Sequence, residues 1–463
     1  MATTDADIAR ALAQAWADEY ANTESGWLRQ ENGIWRPLPR ESLLAAVSDW
    51  ICSNVQSPDP REIHMLRSAK KAQAVLSLLS GRLTIPIAAF DADPFVLNCP
   101  NGVVDLRTGK LRPHRPADRF TRCAGVEYHP EVDRSKWDRA LEAVPEDTRS
   151  WLQLSFGVAL FGKQSDNARV VILNGGGQNA KTTIAYGVRK AMGTYGMRLD
   201  PEAISSSART NPEYHMADLK GARFLLAEEL EDKMLNESVL KRITDSGEAK
   251  GRHPAGRPFS FTLTHDLFIS TNSSLRLRNV NRGTVRRFAE VPFPFTFKDQ
   301  PVAENERKRD PSIKAWFETA REEVLAWLVE GAVQAHKKPQ LLDESHLPTS
   351  VKVTTDQWVN SQNIAQEFVT LRLIRDEGHY IGNRELLSAY NEFRQQQGHR
   401  LDVTVTTMLG DLRETVIADL VPKGAQPMRG SRSGGRDRVV LGLRLRQANE
   451  RVNERLGDQI GEF

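Results

Sequence analysis

The chain has 463 residues, 40% of them apolar, which is enough for a well-buried core and for two or three domains. Its 63 basic and 60 acidic residues leave a net charge of +3, too small by itself to signal a nucleic-acid partner, so local charge must decide. No run approaches the roughly 18 to 20 apolar residues that span a bilayer, and the start, with Asp5, Asp7 and Arg10, lacks the apolar core of a signal peptide; a cytoplasmic protein without a membrane partner is expected. Cys52, Cys99 and Cys123 are far apart and without zinc-like spacing, and are expected to be buried free thiols.

Residues 1–90 read as a mostly helical module, with apolar residues at helical spacing in Leu43 to Val55 and Ala72 to Leu79 and a hairpin at Glu31-Asn32-Gly33. Residues 91–140 change to strand-and-turn punctuation, at Asn101-Gly102 and again at Arg107 to Lys110, and form a small β unit. Residues 141–345 alternate helices with short apolar runs, Val170 to Leu173, Phe224 to Ala227 and Leu267 to Ser270, the pattern of an α/β nucleotide-binding core. In residues 346–463 a helix from about Gln357 to Leu373 is followed by helices at Asn383 to Arg394 and Val403 to Val416, then by a two-stranded basic hairpin. That order gives a winged helix-turn-helix, with Arg429, Arg432, Arg436 and Arg438 on the wing; a basic flexible tail is the alternative.

The strongest signal lies in the third region. The strand Val170 to Leu173 runs into Asn174-Gly175-Gly176-Gly177-Gln178-Asn179-Ala180-Lys181-Thr182-Thr183 and then a helix through Met192. Glycines let the backbone aim several N–H groups at the phosphates of ATP while the helix adds the positive end of its dipole. Lys181 supplies a point charge, and the Thr182 hydroxyl is placed to ligate Mg2+. Ala180 stands where glycine is usual, and a methyl is tolerated there if the residue keeps a negative φ.

About forty residues on, Phe224 to Ala227 ends in Glu228-Glu229, read as a metal-holding carboxylate followed by one that orients and polarises the attacking water. Asn272, after the third run, is suited to bridge the γ-phosphate and that water. Arg286-Arg287 offers guanidinium groups suited to an arginine finger.

Together these segments resemble the superfamily 3 helicase domain, of the AAA+ class, found in the phage and plasmid primase-helicase family and related to the poxvirus primase-helicases. Gly175, Gly177, Asn179, Lys181, Thr182 and Thr183 match the family loop, with Ala180 departing; Leu235-Asn236-Glu237, Thr271-Asn272 and Arg286-Arg287 before Val291-Pro292-Phe293 follow in order. The likeness extends upstream through Asn98 to Gly109.

It implies an AAA+-like P-loop ATPase core working as a DNA helicase, a homohexameric ring on single-stranded and forked DNA, with an arginine of one copy completing its neighbour's site. Arg287 is the first choice and Arg286 the second. It also implies a DNA-gripping hairpin, here at Lys250, Arg252 and His253, although Asp245 to Glu248 departs from the family's Gly-Gly-Asp; composition alone leaves this interval equally a solvated loop. Two alternatives stand beside the motor. One is a helicase-primase that makes its own primers, for which Asp91-Ala92-Asp93 is the nearest acidic pair and reads as a turn, leaving primer synthesis to a separate primase. The other is a DNA-binding switch or loader without sustained unwinding.

Overall fold

The computed structural model describes residues 4–57, 59–165, 169–205, 216–228, 230, 234–245, 247–252, 258–273, 275–277, 286–361, 364–397, 402–413, 415–421, 439–447 and 450. Contacts divide the chain into two compact units, 1–355 and 356–463. Among the described residues no helix is long and apolar enough to cross a membrane.

The first unit opens with the helix Asp5–Ala15. Thr4 caps it by accepting from Asp7 N at 3.2 Å, and the Asp7 carboxylate answers, so two otherwise orphaned donors are satisfied. A three-stranded antiparallel sheet follows, Tyr20–Thr23, Gly26–Glu31 and Ile34–Pro37; the turn between the last two places Asn32 and Gly33 at φ +50° and +79°, the pair of left-handed residues a tight hairpin requires. Helices Arg40–Asn54, Pro60–Leu66 and Ala69–Arg82 turn Leu43, Val47, Ile51, Val75 and Leu79 onto Ile8 and Leu12. The antiparallel strands Val96–Cys99, Gly102–Asp105 and Lys110–Arg112 bury Leu97, Cys99 and Val104 in the same core as the central sheet. Of the cysteines, Cys99 is buried and Cys123 half-buried; Cys52 corrects the expectation, lying exposed on the polar side of its helix.

The central sheet has five parallel strands: β1 Val170–Asn174, β2 Gly196–Leu199, β3 Phe224–Glu228, β4 Asp266–Thr271 and β5 Phe288–Pro292. Their spatial order is β5-β1-β4-β3-β2. The three apolar runs read from the sequence are the three inner strands, covered on both faces. Helices α1 Glu146–Val158 and α4 Glu322–Lys337 pack on each other through glycine: a Cβ on Gly157 would meet Ala332 N at 2.4 Å, and one on Gly331 would meet Gln153 O at 2.3 Å. Between these two helices in sequence lie α2 Lys181–Ala191 and α3 Glu237–Thr244, whose N-cap Asn236 accepts from Val239 N at 3.2 Å.

In the second unit the expected order of three helices and then a hairpin needs correction. Helix α5 Ile364–Arg372 stops before Leu373, and the chain continues as the strand Leu373–Gly382. Helices α6 Asn383–Gln396 and α7 Val405–Leu412 come next, and the strand Val439–Leu445 then pairs antiparallel with Leu373–Gly382. Leu373 and Ile381 face inward onto Phe368, Tyr390, Leu412, Val440 and Leu443.

Candidate nucleotide and nucleic-acid site

The glycine loop leaves β1 at the C-terminal edge of the sheet, where open parallel sheets bind ligands. Register brings its neighbours to that edge: Asn174 of β1 lies opposite Thr271 of β4, and Ser270 lies opposite Glu228 of β3. Gly175 cannot carry a side chain, since a Cβ would meet Asn179 Nδ2 at 2.4 Å and Phe293 O at 2.6 Å; around Gly176 and Gly177 a Cβ would meet nothing within 4 Å. The loop is thus pinned at its start and open in its middle. Asn179 is buried, donating to Phe293 O at 3.3 Å and accepting from Lys181 N at 3.4 Å.

Lys181 begins α2 and is only 2% exposed. Its ammonium donates to Asn272 Oδ1 at 2.7 Å, to Gly175 O at 2.9 Å and to Thr271 O. These partners come from the loop and from the end of β4, so two candidate residues 91 positions apart meet directly. Thr182 is exposed and Thr183 half-buried in the first turn of the same helix. Glu228, 17% exposed, ends β3 with its carboxylate 3.7 Å from Arg198 of β2, a neighbour that sequence reasoning missed. Hard carboxylate and hydroxyl oxygens at one sheet edge are a donor set that suits Mg2+. A groove beside the loop is lined by Gln178, Ala180, Thr183, Phe297, Ile313, Arg309 and Lys314, with Phe297 N donating to Gln178 O at 2.9 Å.

Ala180 does not keep the negative φ that would make its methyl harmless. It sits at φ +59°, next to Gln178 at +61°, because the loop must turn back to start α2. A left-handed alanine costs about 1–2 kcal/mol, of which glycine's larger unfolded-state entropy offsets about half. Ala180→Gly is therefore expected to stabilise the protein by up to about 1 kcal/mol in urea or thermal unfolding. A lower unfolding midpoint would contradict the strain.

Two buried carboxyls lie in the sheet, one at each end, neither anticipated from the sequence, although an acid inside an apolar strand is a readable signal. Glu290 of β5, 3% exposed, accepts from Asn174 Nδ2, and burial pushes it up to about 7. Asp266, at the start of β4, is likewise pushed up to about 7 by burial, and its Oδ1 has no protein partner. For Asp266 the folded chain holds the proton more tightly than the unfolded chain, whose value is about 3.8. Its stabilising neutral form is fully present below the unfolded value and is lost as pH rises through about 7. Asp266→Asn keeps the neutral shape, so it should lose less stability than the parent between about pH 5 and pH 8, by at most a few kcal/mol. Parallel melting-temperature profiles for the two proteins would contradict this.

The arginine pair lies at the other end of the sheet. Arg287 precedes β5, whose first residue, Phe288, lies opposite Val170 at the start of β1, whereas the loop follows Asn174, opposite Pro292. Four strand residues separate those levels, about 13 Å, more than an arginine side chain spans. Arg287 instead forms an ion pair with Asp245, and Arg286 beside it is exposed. Between β3 and β4 an antiparallel hairpin, Glu248–Gly251 with Phe259–Thr262, carries Lys250 on its exposed side and half-buried Arg252 just beyond. Glu229, His253, Arg429, Arg432, Arg436 and Arg438 lie outside the described residues.

The family described as D5 N terminal like matches residues 9–145. The chain is 25% identical over 332 residues to Putative primase C962R of African swine fever virus, covering 66% of this chain and 34% of that protein. It is 25% identical over 249 residues to Putative helicase L207/L206 of Acanthamoeba polyphaga mimivirus, covering 51% and 26%. The family match and these viral relatives support a phage or viral primase-helicase family for this chain. It spans about a third or less of the length of these curated relatives, so the family label covers proteins much longer than this chain. Among solved structures, the apo A form of the NrS-1 C terminal region is similar over 95% of this chain and 99% of that one, with a TM-score of 0.48 and 11% identity.

Proposed function

We propose that the chain is an ATP-dependent DNA helicase of the superfamily 3, AAA+ type, in which a ring of identical copies, a hexamer by family resemblance, translocates on single-stranded DNA. The observation that carries this reading is the meeting of Lys181 with Asn272 at the sheet edge where Glu228 ends β3. The parallel strand order, with the loop-bearing strand second from one edge, supports it.

In this reading the open N–H groups of Gly176 and Gly177 and the N-terminus of α2 hold the β- and γ-phosphates of ATP. The nucleoside lies in the groove walled by Phe297 and Ile313. Lys181 exchanges its carbonyl partners for phosphate oxygens, which frees Asn272 Oδ1 to orient the attacking water, while Glu229 accepts its proton. Thr182 and Glu228 would hold Mg2+, which supplies positive charge to the phosphates. An arginine too far from its own loop serves the site of the next copy, the heterologous contact from which rings are built.

Lys250 and Arg252 on the hairpin grip the DNA backbone without reading sequence. In the second unit the sequence helix, strand, helix, helix, strand supports a winged-helix reading, with α7 as its recognition helix and the basic wing outside the described residues.

Asp91 and Asp93 do not favour primer synthesis. Asp91 accepts from Thr121 N at 3.1 Å and from its hydroxyl; Asp93 accepts from Phe95 N at 2.9 Å and pairs with Arg107, so both carboxylates are engaged in contacts within the fold. Primers would come from a separate primase. ATP hydrolysis coupled to displacement of a tailed duplex tests the motor; hydrolysis stimulated by DNA with no displacement in either polarity would leave a switch or loader.

A further inference from the structure

The last turn of α3 and the foot of the basic hairpin are fastened at two nearby positions, Ile243 and Asp245. Ile243 O accepts from Gln164 Nε2 at 3.1 Å and from His265 Nε2 at 2.9 Å. His265 is buried, which lowers its pKa to about 4, so the ring is neutral and keeps on Nε2 the one proton this carbonyl needs. Two residues on, Asp245 closes α3 as its C-cap, its N–H donating to Lys241 O at 2.8 Å, and its carboxylate pairs with Arg287 Nη1. The hairpin strand starts at Glu248, and its other stalk is tied back where Leu263 N donates to Gly247 O at 3.2 Å.

The backbone around the arginine pair is held as firmly. Arg287 O accepts from Val170 N at 2.6 Å, and Arg286 O accepts from Arg169 Nη1 at 2.9 Å. An ion pair joins these two anchored places across 42 residues of sequence. Both its side chains are more than a third exposed, 37% and 45%, so the pair adds little to global stability. What it does fix is the direction of a long guanidinium side chain that would otherwise sample many rotamers.

We propose that Asp245 is a positioning residue that carries the state of the basic hairpin to Arg287, so that DNA held on the hairpin sets the guanidinium offered to the neighbouring copy. The inference rests on the motor reading above. It predicts that Asp245 governs how strongly DNA stimulates hydrolysis.

The test uses the full chain, ATP and a single-stranded oligonucleotide. Asp245→Asn should leave ATP affinity and oligonucleotide affinity as in the parent, while the ratio of DNA-stimulated to DNA-free turnover falls by about 2- to 30-fold, the range seen for changes along coupling networks. Asp245→Glu, which keeps the charge, should restore most of the stimulation. Parental stimulation in Asp245→Asn would overturn the proposal, and so would lost stimulation explained by weaker oligonucleotide binding in fluorescence anisotropy. Arg287→Ala separates the two ideas. If it hydrolyses ATP normally, the trans-acting role of Arg287 fails; if it is inactive while Asp245→Asn is stimulated normally, only the coupling fails.

Discussion

Lys181→Ala is expected to lose ATP hydrolysis by about 100- to 1,000-fold, the effect of removing one preorganised charge from a phosphoryl-transfer site. The side chain is 2% exposed and its ammonium is held by the loop, by the end of β4 and by Asn272, so the charge is already placed when nucleotide arrives. Alanine removes that charge and releases Asn272 at the same time, and both affinity and turnover should fall. The lost charge-assisted hydrogen bonds cost about 1.5–3 kcal/mol each at most, offset in part because alanine no longer buries an ammonium, so a folded variant is expected and a thermal melt can verify it. Normal turnover by Lys181→Ala would remove the glycine loop as the catalytic centre.

Arg287→Ala should behave differently. It is expected to bind ATP as the parent does but to hydrolyse it about 1,000-fold more slowly or worse, as arginine fingers contribute factors of that size. The separation follows from placement, since Arg287 lies at the far end of β5 from its own loop and so cannot serve that loop's phosphates. Mixing gives the sharper result. When Lys181→Ala and Arg287→Ala chains are combined in equal amounts, random assembly leaves about a quarter of interfaces with an intact loop facing an intact arginine. The mixture of two inactive proteins should regain roughly that share of parental turnover. A mixture as inactive as its parts would place the whole site within one chain, and full activity of Arg287→Ala alone would dismiss this arginine.

The inner strands of the sheet were legible because each is covered on both faces and reads as an unbroken apolar run. The edge strands were not. β2 carries Arg198, and β5 carries Glu290 and ends in Pro292; an edge pairs on one side only and so tolerates charge and proline. The glycine loop announced itself through spacing, but the left-handed turn at Ala180 depends on how the loop returns to α2, which no residue type specified.

Contacts between distant positions were legible only as candidates. Lys181 and Asn272 were each selected for chemistry, and their meeting required the register of β4 against β1. Asp245 was noticed only as a departure from the family's loop, and its pairing with Arg287 is non-local and carries no sequence signature. In the second unit Leu373–Gly382 mixes polar and apolar residues without a clean period, so it gave no strand signal; its pairing with Val439–Leu445 is what makes it a strand.

The central claim, that ATP hydrolysis here drives movement along DNA, is tested most directly by displacement of a labelled strand from tailed duplexes of both polarities. Displacement by the parent protein is expected with ATP and Mg2+ on one tail polarity. It should be absent with a non-hydrolysable analogue and absent with Lys181→Ala. DNA-stimulated hydrolysis without displacement of either substrate would contradict the motor.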